Sequence, residues 1–152
     1  FRSPDGGAGE SSSSPAGPKT TRALERIDAR LADRADEPHP ADGLFVFLHL
    51  LSPHTPWRHY DDLPQWGPTP ADQYDSCIAR ADQATGRFLA GLRERKIYDE
   101  AVIIVTADHG TGLGDHGRLG GFLPYEEQIH GPLIIRVPGV APRRVEIGRA
   151  HG

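Results

Sequence analysis

Apolar residues recur at helical spacing in two stretches of the chain. Leu24, Ile27 and Leu31 share one side of a segment whose other side carries Glu25, Arg26, Asp28, Arg30 and Asp33. This predicts an amphipathic helix capped at Thr20 or Thr21 and running to about Arg34, with Pro38 and Pro40 stopping it. The second stretch opens at Thr69-Pro70-Ala71-Asp72, which offers a hydroxyl cap, a proline at the first helical position and an early carboxylate facing the positive end of the helix dipole. Tyr74, Ile78, Ala81, Thr85, Phe88 and Leu92 then follow at alternating steps of four and three and predict its buried stripe.

Three other segments are apolar without helical period. Leu44 to Leu50 is continuous, Ala101 to Thr106 is β-branched and too short for an ordinary helix, and Leu133 to Val137 ends at Pro138-Gly139. Each reads as a strand buried on both faces. A helical or turn segment is expected near Tyr125 to Gln128. Strand, long helix, strand implies a right-handed crossover between parallel strands, so the expected fold class is α/β, a mostly parallel buried sheet flanked by helices.

Composition narrows this picture. The chain has 152 residues, of which 37% are hydrophobic and 25% charged, with 18 Gly and 14 Pro, enough for one domain with a real core. Residues 1–19 are rich in Gly, Ser and Pro and read as a flexible segment. Residues 20–145 form the domain. Residues 146–152 resemble a translated sequencing adapter and are set aside from fold reasoning. The longest apolar run, broken by His49, falls far short of the ~20 residues of a transmembrane helix. A net charge of −4 argues against a nucleic-acid partner. One cysteine, Cys77, excludes an internal disulfide and any multi-cysteine metal site. The chain contains no methionine, so Phe1 is not a translation start, and we read the chain as a piece of something longer. Localisation stays open, with periplasmic, secreted and membrane-anchored parents all compatible.

Thr106-Ala107-Asp108-His109-Gly110 places a carboxylate and an imidazole where a predicted strand leaves the sheet, the edge at which parallel sheets bind ligands. Asp108 offers a hard anionic oxygen and His109 a nitrogen, and Gly110 permits a tight turn. The same residues would equally serve as a helix cap and a solvated loop histidine. Seven residues on, Gly114-Asp115-His116-Gly117 sets His116 in a glycine-rich loop, either as a donor to an anionic oxygen or as an exposed side chain. Ser52-Pro53-His54-Thr55-Pro56-Trp57 follows the first predicted strand. There His54 is either a proton donor to a leaving oxygen or an exposed turn residue, with Trp57 packed on the core. His49, inside that strand, is expected to be a core residue.

As an ordered set, His54-x-Pro56, Tyr74 to Leu92, Tyr98-Asp99, Val102 to Gly110, Gly114 to Gly117, Tyr125-Glu126-Glu127-Gln128 and Pro132 to Gly139 resemble the later half of the sulfatase domain of the alkaline-phosphatase superfamily. The resemblance covers about Leu44 to Val145. It implies a partial alkaline-phosphatase-like domain and one divalent metal held in part by Asp108 and His109, with His54 near the leaving group. Beside these, His116 is a second catalytic candidate, and Arg118 and Trp57 are candidate substrate contacts.

Departures are specific. Sulfatase-like enzymes draw two further acidic ligands and a Cys or Ser nucleophile, followed by x-Pro-x-Arg, from an earlier segment, and no such motif occurs in this chain. Cys77 is followed at the required positions by Ala79 and Ala81. Gly121 stands where the family often has a substrate lysine, thirteen residues beyond Asp108. The Asp-His pair, in place of Asp-Asn, is similar to phosphonate and phosphodiester hydrolases and to membrane phosphoglycerol or phosphoethanolamine transferases of the superfamily. A nitrogen ligand favours Mn or Zn over Ca. The leading expectation is a metal-dependent hydrolase of sulfate esters, acting on a small-molecule, glycan or lipid ester, with this piece inactive alone. The rivals are those phosphodiester or phosphonate hydrolases and transferases, and a non-catalytic relative that binds an anion.

Overall fold

A computed structural model describes residues 18–33, 43–120 and 123–145. The Gly/Ser/Pro-rich stretch through residue 17, Gly121 and the tail 146–152 lie outside the described residues. The chain divides into two compact units, Phe1–Arg95 and Lys96–Gly152, which are taken in turn.

The first unit holds α1 (Pro18–Asp33) and α2 (Pro70–Glu94). α1 begins at Pro18, ahead of the expected cap at Thr20 or Thr21, and Thr20 lies inside it, buried. α2 starts where its capping residues predict. Thr69 accepts from the Asp72 backbone N–H, the Asp72 carboxylate accepts from the Thr69 N–H at 2.8 Å, and Pro70 opens the helix. Those two bonds satisfy orphan donors at the helix start.

The buried line of α2 is rotated from the expected stripe toward Ser76, Cys77, Ala84, Gly91 and Leu92, whereas Ile78 is 42% exposed. Small residues on this face permit close approach. A Cβ at Gly91 would lie 2.5 Å from a Leu24 methyl of α1, and beyond it Arg95 forks onto Asp28. Toward the other end of α2, Ser76 and Cys77 receive the loop of residues 52–63: Tyr60 N–H donates to Ser76 Oγ, Ser52 Oγ donates to the Cys77 carbonyl, and Leu63 is buried.

Residues 43–51 are not a strand. They pair with no other described strand, Phe45 is 86% and Phe47 79% exposed, and His49 is exposed as well. The pattern signalled a strand sandwiched in a sheet, but a strand exists only when another backbone takes up its hydrogen bonds, and no described segment does so.

The second unit contains β1 (Ile103–Thr106), β2 (Gly112–Leu113), β3 (Leu119–Gly120), α3 (Glu126–Ile129) and β4 (Leu133–Arg136). β1 pairs with β4 in antiparallel register, Ile103 opposite Arg136 and Thr106 opposite Leu133, and β2 pairs with β3 in a short antiparallel hairpin. The expected parallel buried sheet is therefore corrected among the described residues. β4 returns beside β1 in the opposite direction. Neither β1 nor β4 is covered on both faces, and Ile104 and Ile134 are exposed. Arg136 fastens β4 to the segment before β1 by donating to the Ala101 carbonyl at 2.9 Å and lying over the Tyr98 ring. No described helix is long and apolar enough to cross a membrane.

Candidate functional site

Asp108 and His109 leave the carboxyl end of β1, as the sequence predicts. The His109 backbone N–H donates to Asp108 Oδ1 at 3.1 Å, which folds the carboxylate back over the turn. His109 Nδ1 lies 2.6 Å from the Gly110 carbonyl oxygen. A carbonyl only accepts, so Nδ1 carries a hydrogen, and in the neutral ring Nε2 is the nitrogen with the lone pair. That nitrogen is 3.8 Å from Asp108 Oδ2, and both side chains are open to solvent. Fixing a ligand histidine by a hydrogen bond from its other nitrogen to a backbone carbonyl is the usual way a metal-binding imidazole is oriented. Two donors of compatible chemistry thus stand within reach of one cation. Among the described residues, no group of three or more His, Cys, Asp or Glu converges on a point.

The turn is seated on α3. Gly110 N–H donates to the Gln128 carbonyl at 2.8 Å, and a Cβ at 110 would lie 2.3 Å from the Glu127 carbonyl oxygen. Gln128 is buried, and its side-chain oxygen accepts from the Leu123 N–H at 2.7 Å.

The glycine-rich stretch is a hairpin rather than an open loop. β2 and β3 flank a turn in which Gly117 N–H donates to the Gly114 carbonyl, and both glycines have positive φ, +116° and +69°. Glycine, lacking a Cβ, adopts such angles most readily. The turn carries His116 and Arg118, both exposed. The His116 ring stacks on Tyr125, with centroids 3.7 Å apart and planes inclined by 22°, and its Nε2 is 3.6 Å from Glu127 Oε1.

His54 and Trp57 belong to the first unit. Their loop is pinned at several points: His54 N–H donates to the Leu51 carbonyl at 2.7 Å, Trp57 Nε1 donates to the Pro53 carbonyl at 2.9 Å, and the Trp57 ring meets Tyr74 edge-on at 5.4 Å. Burial pushes the Tyr74 hydroxyl above its ordinary 10.0. His54 Nδ1 is 2.6 Å from the Thr55 carbonyl, which leaves Nε2 outward on an exposed ring. Cys77 is buried and free, consistent with an inert thiol.

The structure therefore brings Asp108 together with His109, and His54 together with Trp57. It links His116 to Tyr125 and Glu127, residues to which sequence reasoning assigned no role. It also shows Gln128 as the support of the turn. The signal that was available for these was the Tyr125-Glu126-Glu127-Gln128 run itself, whose spacing to His116 and Gly110 is meaningful only after the chain folds back.

The family model for sulfatases matches residues 5–151, and the chain belongs to the sulfatase family. That family has an alkaline-phosphatase-like α/β fold. The chain is 31% identical over 130 residues to human iduronate 2-sulfatase, a match covering 75% of this chain and 23% of that protein. It is 39% identical over 66 residues to the multifunctional alkaline phosphatase superfamily protein PehA of Trinickia caryophylli, covering 43% of this chain and 13% of that protein. It is 37% identical over 65 residues to an N-acetylglucosamine-6-O-sulfatase of Bacteroides thetaiotaomicron, covering 43% and 12%. The chain thus spans less than a quarter of the length of these relatives.

Proposed function

We propose that the protein carrying this chain is a metal-dependent sulfatase-like hydrolase of sulfate esters, in which Asp108 Oδ2 and His109 Nε2 are two of the metal ligands. The observation that carries this reading is the His109 Nδ1–Gly110 carbonyl bond, which frees Nε2 at 3.8 Å from Asp108 Oδ2. A divalent cation, Mn, Zn or Ca, supplies charge to the ester anion and acidifies the nucleophile when bound.

The other roles follow from chemistry the chain itself offers. His54, held by its loop with Nε2 outward, protonates or hydrogen-bonds the departing oxygen. His116 donates to the anion, and Arg118, two residues along the same turn, offsets its charge. Trp57 presents a half-buried ring to the organic part of the ester. The nucleophile comes from elsewhere in the protein, because no Cys or Ser of this chain is followed by x-Pro-x-Arg. Membership of a family whose relatives include sulfatases named for iduronate and N-acetylglucosamine supports a sulfated sugar as substrate.

Metal analysis of the complete protein tests the site. Asp108→Ala and His109→Ala should each lower metal stoichiometry and remove hydrolysis of 4-methylumbelliferyl sulfate; unchanged stoichiometry in both variants overturns the assignment. A second reading, hydrolysis of a phosphodiester or phosphonate, is favoured by the nitrogen ligand at His109. The ratio of turnover on matched aryl sulfate and aryl phosphonate esters separates the two.

A further inference from the structure

We propose that Glu127 is a positioning residue for His116, setting which ring nitrogen the imidazole turns toward the substrate anion. The inference rests on the reading of His116 as a donor to that anion.

Glu127 Oε1 is shielded from solvent and has no hydrogen-bond partner. A shielded carboxylate oxygen without a donor is costly, and a facing N–H removes the cost. The imidazole of His116 supplies the facing group, with Nε2 at 3.6 Å, one small ring movement from a hydrogen bond. Both partners are held in place. Glu127 sits in α3, which is tied to the turn after Asp108 through the Gly110–Gln128 bond and to Leu123 through the Gln128 side chain. The His116 ring plane is fixed by its stack on Tyr125.

A carboxylate accepts, so the nitrogen facing Glu127 is Nε2–H, and Nδ1 is the edge left for the substrate. In the substrate complex the ring takes up a proton from solvent at Nδ1 and donates it in a hydrogen bond to the anion, and the Glu127 carboxylate balances the positive charge. The residue whose backbone carbonyl lies against Gly110, in the turn after Asp108, thereby orients His116 with its side chain.

The test uses the complete protein, ¹⁵N-histidine labelling and 4-methylumbelliferyl sulfate as probe. Wild-type His116 should carry its hydrogen on Nε2 in its neutral form, and Glu127→Leu should abolish that preference. Glu127→Leu should lower kcat by ~10–100-fold, the range for partners that orient active-site groups. Its KM should change far less. Glu127→Gln, which keeps an acceptor and drops the charge, should lose less. The double variant Glu127→Leu/His116→Gln should be no slower than His116→Gln alone, because the two side chains act as one unit. A wild-type His116 with its hydrogen on Nδ1, or losses that simply multiply in the double variant, overturns the proposal. If His116→Gln leaves turnover intact, the role of His116 at the anion falls, and the labelled-histidine spectrum still decides the role of Glu127.

Discussion

Gly110 and Gln128 are joined through the backbone, with the Gly110 N–H donating to the Gln128 carbonyl at 2.8 Å while the adjacent Glu127 carbonyl occupies the place a Cβ at 110 would take. The two candidate ligands therefore precede a glycine whose lack of side chain lets α3 pack beneath them. Substituting this glycine probes the seat of the site without touching a ligand.

Gly110→Ala forces its methyl against a backbone oxygen 2.3 Å away, and backbone cannot rotate aside as a side chain would. The expected cost is about 1–3 kcal/mol, the range for overpacking. Thermal or urea unfolding of the variant, together with its metal content, checks this.

Gln128→Leu conserves approximate size and leaves the Leu123 N–H without its acceptor at 2.7 Å. An unpaired donor in a part-buried setting costs roughly 1–3 kcal/mol. Urea unfolding measures the loss, and faster exchange of the Leu123 amide hydrogen locates it.

Chelation of the complete protein should abolish sulfate-ester hydrolysis by ~100-fold or more, because charge stabilisation worth several kcal/mol leaves with the cation. Adding back Mn, Zn and Ca one at a time and assaying recovery identifies the metal. Persistence of full activity after exhaustive chelation contradicts the proposed function.

Acid sensitivity of the first unit follows from three carboxylates held below their ordinary 3.8: Asp28 by hydrogen bonds from Arg95, Asp62 by those from Arg80, and Asp72 by those from Thr69. Each binds fewer protons folded than unfolded, so its contribution is complete above about pH 4 and is lost as pH falls through the lowered folded values. Asp28 and Asp62 are exposed and Asp72 is half-buried, so the effect is modest and weakens with salt. Asp28→Asn should flatten the acid limb of a stability-against-pH curve at low ionic strength, while leaving its neutral-pH shape unchanged.

How much of this was legible beforehand differs by element. The start of α2 was readable because Thr69, Pro70 and Asp72 act within one helical turn, where sequence distance equals spatial distance. The Asp108-His109 turn and the short helix near Glu126 were readable for the same reason. The buried face of α2 was misplaced, because the helical period identifies an apolar stripe without identifying the neighbour. In the folded chain α1 and the 52–63 loop approach the smaller residues Ser76, Cys77, Ala84 and Gly91. The parallel sheet was inferred from apolar runs alone, which carry no direction, and β1 and β4 are antiparallel.

From its residues alone, the chain fixed what depends on neighbours in sequence: helix caps, glycine turns, an acidic–imidazole pair after a β-branched run, and an ordered set of motifs sufficient to place it among sulfatases. Tertiary structure decided which nitrogen of His109 meets a carbonyl, that His116 stacks on Tyr125 with Glu127 nearby, and that Gln128 carries the turn. Those relationships depend on the direction in which residues 107–132 fold back. Hydrogen bonds formed between distant segments set that direction, and a linear pattern does not encode them in readable form.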